Sequence, residues 1–191
     1  MTSTYGTRRT AGKPPADARL PAGARSAMWA AGVALLSLAA DAAGKAWALS
    51  ALRDGHRITA AGGLVRLQLV INHGAAFGLA AGYEPVLAAA GLVGAILLGF
   101  WAGRASGSAE RFGAALAAGG AAGNVLDRLV RPPAVLHGGV VDWLHVSFYG
   151  PTFNLADVWL RGGLLIAAGA WLRHHRSRPD ARPDPADGSS P

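Results

Sequence analysis

The chain has 191 residues, 51% of them hydrophobic and 15% charged, with a mean hydropathy of +0.27. It contains no cysteine, which excludes a thiol nucleophile, a Cys-ligated metal and any disulfide, and leaves the redox compartment unread. The net charge of +7 raises the question of nucleic acid, but much of the excess flanks apolar blocks, where Arg and Lys set membrane orientation, so no nucleic-acid partner is expected.

Residues 1–25 are polar, with Arg8, Arg9, Lys13, Arg19 and Arg25 among Ala, Pro and Gly, and are expected to form a disordered basic tail. The apolar run that follows, about 27–52, is longer than the core of a cleaved signal and reads as a retained membrane span. Asp41 and Lys45 interrupt it at i, i+4, so they face one another on a helix. The plain reading is a buried ion pair that makes insertion tolerable and fixes packing. The sharper reading is a lysine base with Ser37 or Ser50 as nucleophile, and neither serine sits in a suggestive motif.

The outer segment 53–84 carries a β-prone alternation, Val65-Arg66-Leu67-Gln68-Leu69-Val70-Ile71, and Asn72-His73-Gly74 ends it as a turn. Open sheet edges are not tolerated in lipid, which places this strand in a small sheet on the outer membrane surface. Asn72 offers two donors and an acceptor to a peptide backbone; the plain alternative is a turn that returns the chain to the bilayer.

A second apolar block spans about 85–103, with Pro85 suited to a first helical turn. A short connection carrying Arg104 and Arg111 leads to the third, about 112–130, whose Ala118, Gly119, Ala122 and Gly123 form a small-residue face for close packing. Near its end Asn124 shares a helical face with Asp127 and with Arg128. Arg128 is free to pair with Asp127 or with another carboxylate, and a helix-end polar cluster is the plain reading.

The segment 131–154 contains Asp142 and a Gly150-Pro151 turn signal, and the fourth block, about 155–172, opens near Asp157. The tail 174–191 is again basic and proline-containing. Four spans put both termini on one side, and the Arg-bearing tails and the short 104–111 connection mark that side as cytoplasmic. The expected organisation is therefore a tail at 1–25, a four-helix membrane domain at 26–173 with outer segments 53–84 and 131–154, and a tail at 174–191.

A carboxylate inside such a block costs about 2.5–3.5 kcal/mol to insert. Chains keep one for ion or proton pathways, for helix pairing, or for chemistry. Asp142 and Asp157 lie 15 residues apart around the turn signal, so the chain can bring them together at the membrane surface. Two neighbouring carboxyls in a low-dielectric site share a proton, and such a pair activates water while donating to a scissile carbonyl. A proton relay through Asp41, Asp127 and Asp157, or a scaffold without chemistry, stays open on spacing alone. The six histidines form no HExxH pattern, and there is no GxSxG or phosphate-binding glycine loop.

The motifs Asn72-x-Gly74-Ala75-Ala76-Phe77, Gly119-Gly120-Ala121-x-Gly123-Asn124-x-x-Asp127-Arg128, Val140-Val141-Asp142 and Phe153-Asn154-x-Ala156-Asp157 occur in an order that resembles the lipoprotein signal peptidases, the signal peptidase II family. Asp41 and Lys45 resemble that family's first motif, and the resemblance covers about residues 28–172. It implies a monomeric intramembrane aspartic endopeptidase of the bacterial cytoplasmic membrane, inhibited by globomycin and needing no metal or cofactor. Its substrates would be diacylated prolipoproteins, reached from membrane lipid and cut before the diacylglyceryl-modified cysteine. It implies Asp142 and Asp157 as catalytic, and Asn72, Gly74, Asn124, Arg128 and Asn154 as substrate-binding or supporting. Asp41, Lys45 and Asp127 would be structural, with Asp127 a third choice for catalysis. Three departures concern loops: a longer Arg131–Gly139 stretch, a slightly shorter Asp142–Asp157 interval, and His145 where many members carry a further acid.

Overall fold

A computed structural model describes residues 21–75 and 79–176. The expectations for most of the two tails, and for Ala76 and Phe77 of the first turn motif, lie outside the described residues.

The described residues include four long helices: α1 (Ala22–Ala51), α2 (Glu84–Arg104), α3 (Ser108–Val130) and α4 (Leu155–Arg176). Their ends differ from the sequence expectation. Helix α1 begins at Ala22, inside the segment read as a disordered tail, and α4 continues through Arg176. Helix α3 starts four residues before the apolar block. Its first turn holds Glu110, and an acidic side chain there suits the positive end of the helix. Charged turns are thus continuous with the apolar helices, and a hydropathy boundary falls short of the hydrogen-bonded one.

Helices α1, α2 and α4 are each long and apolar enough to cross a membrane. Their large apolar side chains point outward: Leu36 is 72% exposed, Ile96 62% and Leu165 76%. Helices that turn apolar faces both inward and outward suit a lipid surround. Helix α3 is different. It buries thirteen residues, mostly Ala and Gly but including Asp127 and Arg128, against the other three helices. Its backbone comes close to that of α4. A Cβ on Gly113 would stand 2.5 Å from the Gly163 carbonyl oxygen, and one on Gly163 would stand 2.5 Å from that of Gly113. The backbones touch there, which is why small residues line the crossing.

Among the described residues there is also a four-stranded antiparallel sheet in the order β1-β2-β3-β4, with β1 (Ile58–Ala60), β2 (Val65–Asn72), β3 (Val140–Val146) and β4 (Thr152–Phe153). The alternating 65–71 segment is indeed a strand. Strand β3 was not foreseen, and it aligns Val65 with Val146 at one end and Asn72 with Val140 at the other. The register shifts between Leu67 and Val70, where β2 carries one extra residue, and beyond the shift Val70 faces Asp142. A bulge of this kind re-aims the side chains that follow it. Gly150 takes a φ of +91° in the β3–β4 turn, a conformation that favours glycine.

Candidate active site

Asp142 lies on β3, and Asp157 lies in the first turn of α4. Both line one cavity of about 250 Å³, together with Asn72, Gly74, Asn124 and Arg128. A polar chain links the carboxylates. Asn154 Nδ2 donates to Asp142 Oδ1 at 2.7 Å and to Asn124 Oδ1 at 3.1 Å, and Asn124 Nδ2 donates to Asp157 Oδ1 at 3.0 Å. From the other side, Asn72 Nδ2 donates to Asp142 Oδ2 at 3.0 Å. Three asparagines therefore fix two carboxyls, which suits an amide: it donates to a carboxylate with one end and accepts elsewhere with the other.

Each asparagine is held by the element that bears it. Asn72 ends β2, and its Oδ1 accepts the Gly74 N–H at 2.9 Å, closing an Asx turn. Asn154 is fully buried and precedes α4; its Oδ1 accepts the Asp157 N–H at 3.0 Å, the arrangement of a helix N-cap. Asn124 sits on α3 and receives Lys45 Nζ at 3.1 Å.

Asp142 is 2% exposed. Burial pushes its carboxyl up to about 7, with the neighbouring Asp157 pushing the same way and the amide hydrogen bonds from Asn72 and Asn154 opposing. A carboxyl near 7 exchanges its proton at neutral pH.

Behind the cavity lies a buried ion cluster. Lys45 Nζ is 2.7 Å from Asp41 Oδ2 and 2.9 Å from Asp127 Oδ2. The Asp41–Lys45 pair is therefore formed as its spacing implied. Asp41 Oδ1 also accepts the Ala156 N–H at 2.8 Å, tying α1 to the start of α4. Gly123 makes room for this: a Cβ there would sit 2.5 Å from Asp41 Oδ2. Asp127 Oδ2 accepts the Val141 N–H at 3.0 Å and Asp127 Oδ1 receives Arg131 Nε at 2.5 Å, so one carboxylate joins α1, α3 and β3.

Its spacing left Arg128 free to pair with Asp127 or with another carboxylate. Among the described residues it makes neither pairing. Its Nη2 donates to the Gly74 carbonyl at 2.6 Å, while Nη1 is buried without a hydrogen-bond partner. Lys45 and Arg131 have already engaged Asp127, and the neighbouring helix position points elsewhere. His145 is an odd number of positions from Asp142 on β3 and so faces the other side of the sheet. The Arg131–Gly139 stretch folds back onto the end of α3, with Gly138 N–H donating to the Arg128 carbonyl at 3.2 Å.

Tyr149 and Arg161 are among the cavity residues that escaped the sequence reading. Arg161 Nη1 donates to the Tyr149 hydroxyl at 2.7 Å. The spacing of Arg161 from Asp157, i and i+4 on a helix, was the available signal. Among the described residues, no three His or acidic side chains group as metal ligands.

Residues 33–173 match the model of a peptidase family described as Signal peptidase (SPase) II. The chain is 40% identical over 137 residues to the lipoprotein signal peptidase of Mycobacterium tuberculosis, covering 70% of this chain and 66% of that protein, just under two thirds of its length. It is 36% identical over 167 residues to the lipoprotein signal peptidase of Mycolicibacterium smegmatis, covering 83% of this chain and 69% of the relative. In fold it resembles a bacterial membrane enzyme solved in meso at 2.3 Å resolution. The TM-score is 0.70 at 20% identity, with 82% of this chain and 95% of that chain covered.

Proposed function

The chain belongs to the signal peptidase II family, and from that premise we propose that it is a membrane aspartic endopeptidase that removes signal peptides from prolipoproteins. Cleavage falls just before the diacylglyceryl-modified cysteine. The observation that carries this reading is the pair of carboxyls in one cavity, joined through Asn154 and Asn124.

In the proposed mechanism Asp142 holds the proton, in keeping with a carboxyl pushed up to about 7. Asp157 is the ionised partner, in the first turn of α4 where negative charge is favourable. Asp157 takes a proton from water as it attacks the scissile carbonyl, and Asp142 donates to the developing oxyanion. The tetrahedral diol then collapses, and a proton passes to the leaving amine. The unpartnered Nη1 of Arg128 supplies a donor for a substrate carbonyl. Asn72, Gly74, Asn124 and Asn154 hold the site, and Asp41, Lys45 and Asp127 support it from behind.

The membrane arrangement proposed is four spans in a domain of about 26–173, with α3 crossing in the shelter of α1, α2 and α4. Arg25, Arg104, Arg111, Arg173 and Arg176 cluster by helix ends at one pole, the cytoplasmic one by charge bias. Both termini then lie inside, and the sheet forms a cradle on the outer surface. This position meets the reaction's two demands: water reaches the carboxyls from outside, and the substrate's lipid stays between helices. A monomer suffices, because one chain supplies every residue named.

The deciding experiment incubates the purified protein with a diacylated prolipoprotein, with and without globomycin. A shortened product that globomycin suppresses is expected. Absence of any product, with charge movement across liposomes instead, would favour a proton-conducting protein.

The pH dependence follows from Asp142. Its proton is held below about 7 and lost above. Turnover is therefore expected to fall on the alkaline side, by about tenfold per pH unit once the proton is fully titrated. A profile that stays flat from pH 6 to 9 would remove Asp142 from the acid role.

A further inference from the structure

Arg161 lies one turn beyond Asp157 on α4, so the two side chains share a helix face. They are about 6 Å apart along the axis. Both line the cavity that contains Asp142. The guanidinium is oriented rather than loose: besides the hydrogen bond to the Tyr149 hydroxyl, it lies 5.8 Å from the centroid of that ring. Tyr149 in turn stands edge-on to Phe153, 5.4 Å between ring centroids. No carboxylate lies within ion-pair distance of Arg161 among the described residues.

Helix α4 is apolar enough to cross a membrane, and a guanidinium on such a helix is costly unless matched. Tyr149 satisfies one of its five N–H donors. The Arg161 side chain is exposed where it lines the cavity, so its other donors are open to acceptor oxygens of a ligand there, one turn along α4 from Asp157. A carboxylate-bearing ligand is a poor fit, since Asp142 and Asp157 already fill the neighbourhood with acid. Neutral acceptors on a lipid suit it better. We infer that Arg161, oriented by Tyr149, is a specificity residue that donates hydrogen bonds to the ester carbonyl oxygens of the diacylglyceryl group on the substrate's modified cysteine. The inference rests on the signal-peptidase reading above. The geometry of such a substrate agrees with it. The cysteine contributes the amine of the scissile bond, and a short run of single bonds through its sulfur leads to the first ester, long enough to cover one helical turn.

The test uses two synthetic lipopeptides of equal hydrocarbon length. One carries a diester glyceryl group, and the other a diether that lacks both carbonyls. The full-length protein is assayed in nanodiscs of zwitterionic lipid, and kcat/KM is read for each. The parent is expected to favour the diester by about tenfold, equivalent to about 1.4 kcal/mol. Arg161→Leu should lower only the diester rate and bring the ratio near one, and Arg161→Lys should restore part of the preference. Equal parental rates on the two substrates overturn the inference, and that comparison requires no variant. It is also overturned if Arg161→Leu lowers both rates alike, which would assign the guanidinium to bilayer phosphates or to packing. Cleavage of neither lipopeptide would instead sink the signal-peptidase reading itself.

Discussion

Asp142→Asn and Asp157→Asn should each lower turnover of a diacylated prolipoprotein by about 10²–10⁴-fold, the range that general acid–base groups contribute, while the protein remains folded. The substitution keeps shape and removes the exchangeable proton. At Asp142 it sets an amide against the donors of Asn72 and Asn154, so one of those two hydrogen bonds is lost. The net cost of one such bond is about 1 kcal/mol. Against it stands a gain. The folded-state carboxyl is raised to about 7 from the ordinary value of 3.8, so the folded form binds more protons than the unfolded chain between those pH values. The wild-type protein therefore loses stability as pH rises through that window, and the penalty is fully present above about 7. The uncharged amide escapes it. At pH 8 the Asp142→Asn protein should thus unfold at a temperature no lower than the parent while processing almost nothing. Inactivity with intact folding separates chemistry from support, because Asp127→Asn should disturb folding as well: that carboxylate binds Lys45, Arg131 and the Val141 N–H. Normal processing by purified Asp142→Asn or Asp157→Asn protein would end the dyad assignment, and a scaffold role would become the better reading.

The site was legible where chemistry is local in sequence and hidden where it depends on distant backbone. Asp41 and Lys45 meet because i and i+4 meet on any helix, and Val65–Ile71 forms a strand because it alternates. Strand β3 carries the same length of β-prone sequence, but Asp142 and His145 interrupt its apolar pattern. Its conformation is set by pairing with β2, some seventy residues away. The sequence left Arg128 free to pair with a carboxylate, because charge is what a sequence displays. Its partner is the carbonyl of Gly74, which no side-chain pattern announces. Arg161 went unread because a single arginine in an apolar block looks like an interfacial anchor until the cavity wall places it beside Tyr149.

Lys45→Met is the second large effect, and it tests the support rather than the reaction. Lys45 is 1% exposed, and its ammonium lies between Asp41 and Asp127 while also donating to the side chain of Asn124 and, at 3.4 Å, to the Gly123 carbonyl. Methionine fills nearly the same volume and removes the charge. Two buried carboxylates then lose the ion they share, with Arg131 left to answer Asp127 alone. Breaking a buried pair from one side costs about 3–5 kcal/mol, because the orphaned charge stays in a low-dielectric site. Against a total stability of about 5–15 kcal/mol, that is enough to lower the unfolding temperature steeply. The same change frees Asn124, whose Nδ2 holds Asp157 and whose Oδ1 receives Asn154. Activity measured on the folded fraction should therefore fall as well. Adding Asp127→Asn to Lys45→Met removes one orphaned charge, so the double variant should lose less stability than the sum of the two single changes. Strict additivity, or a Lys45→Met protein as stable as the parent, would mean that the ammonium is incidental. The apolar packing of α3 would then hold the bundle without it.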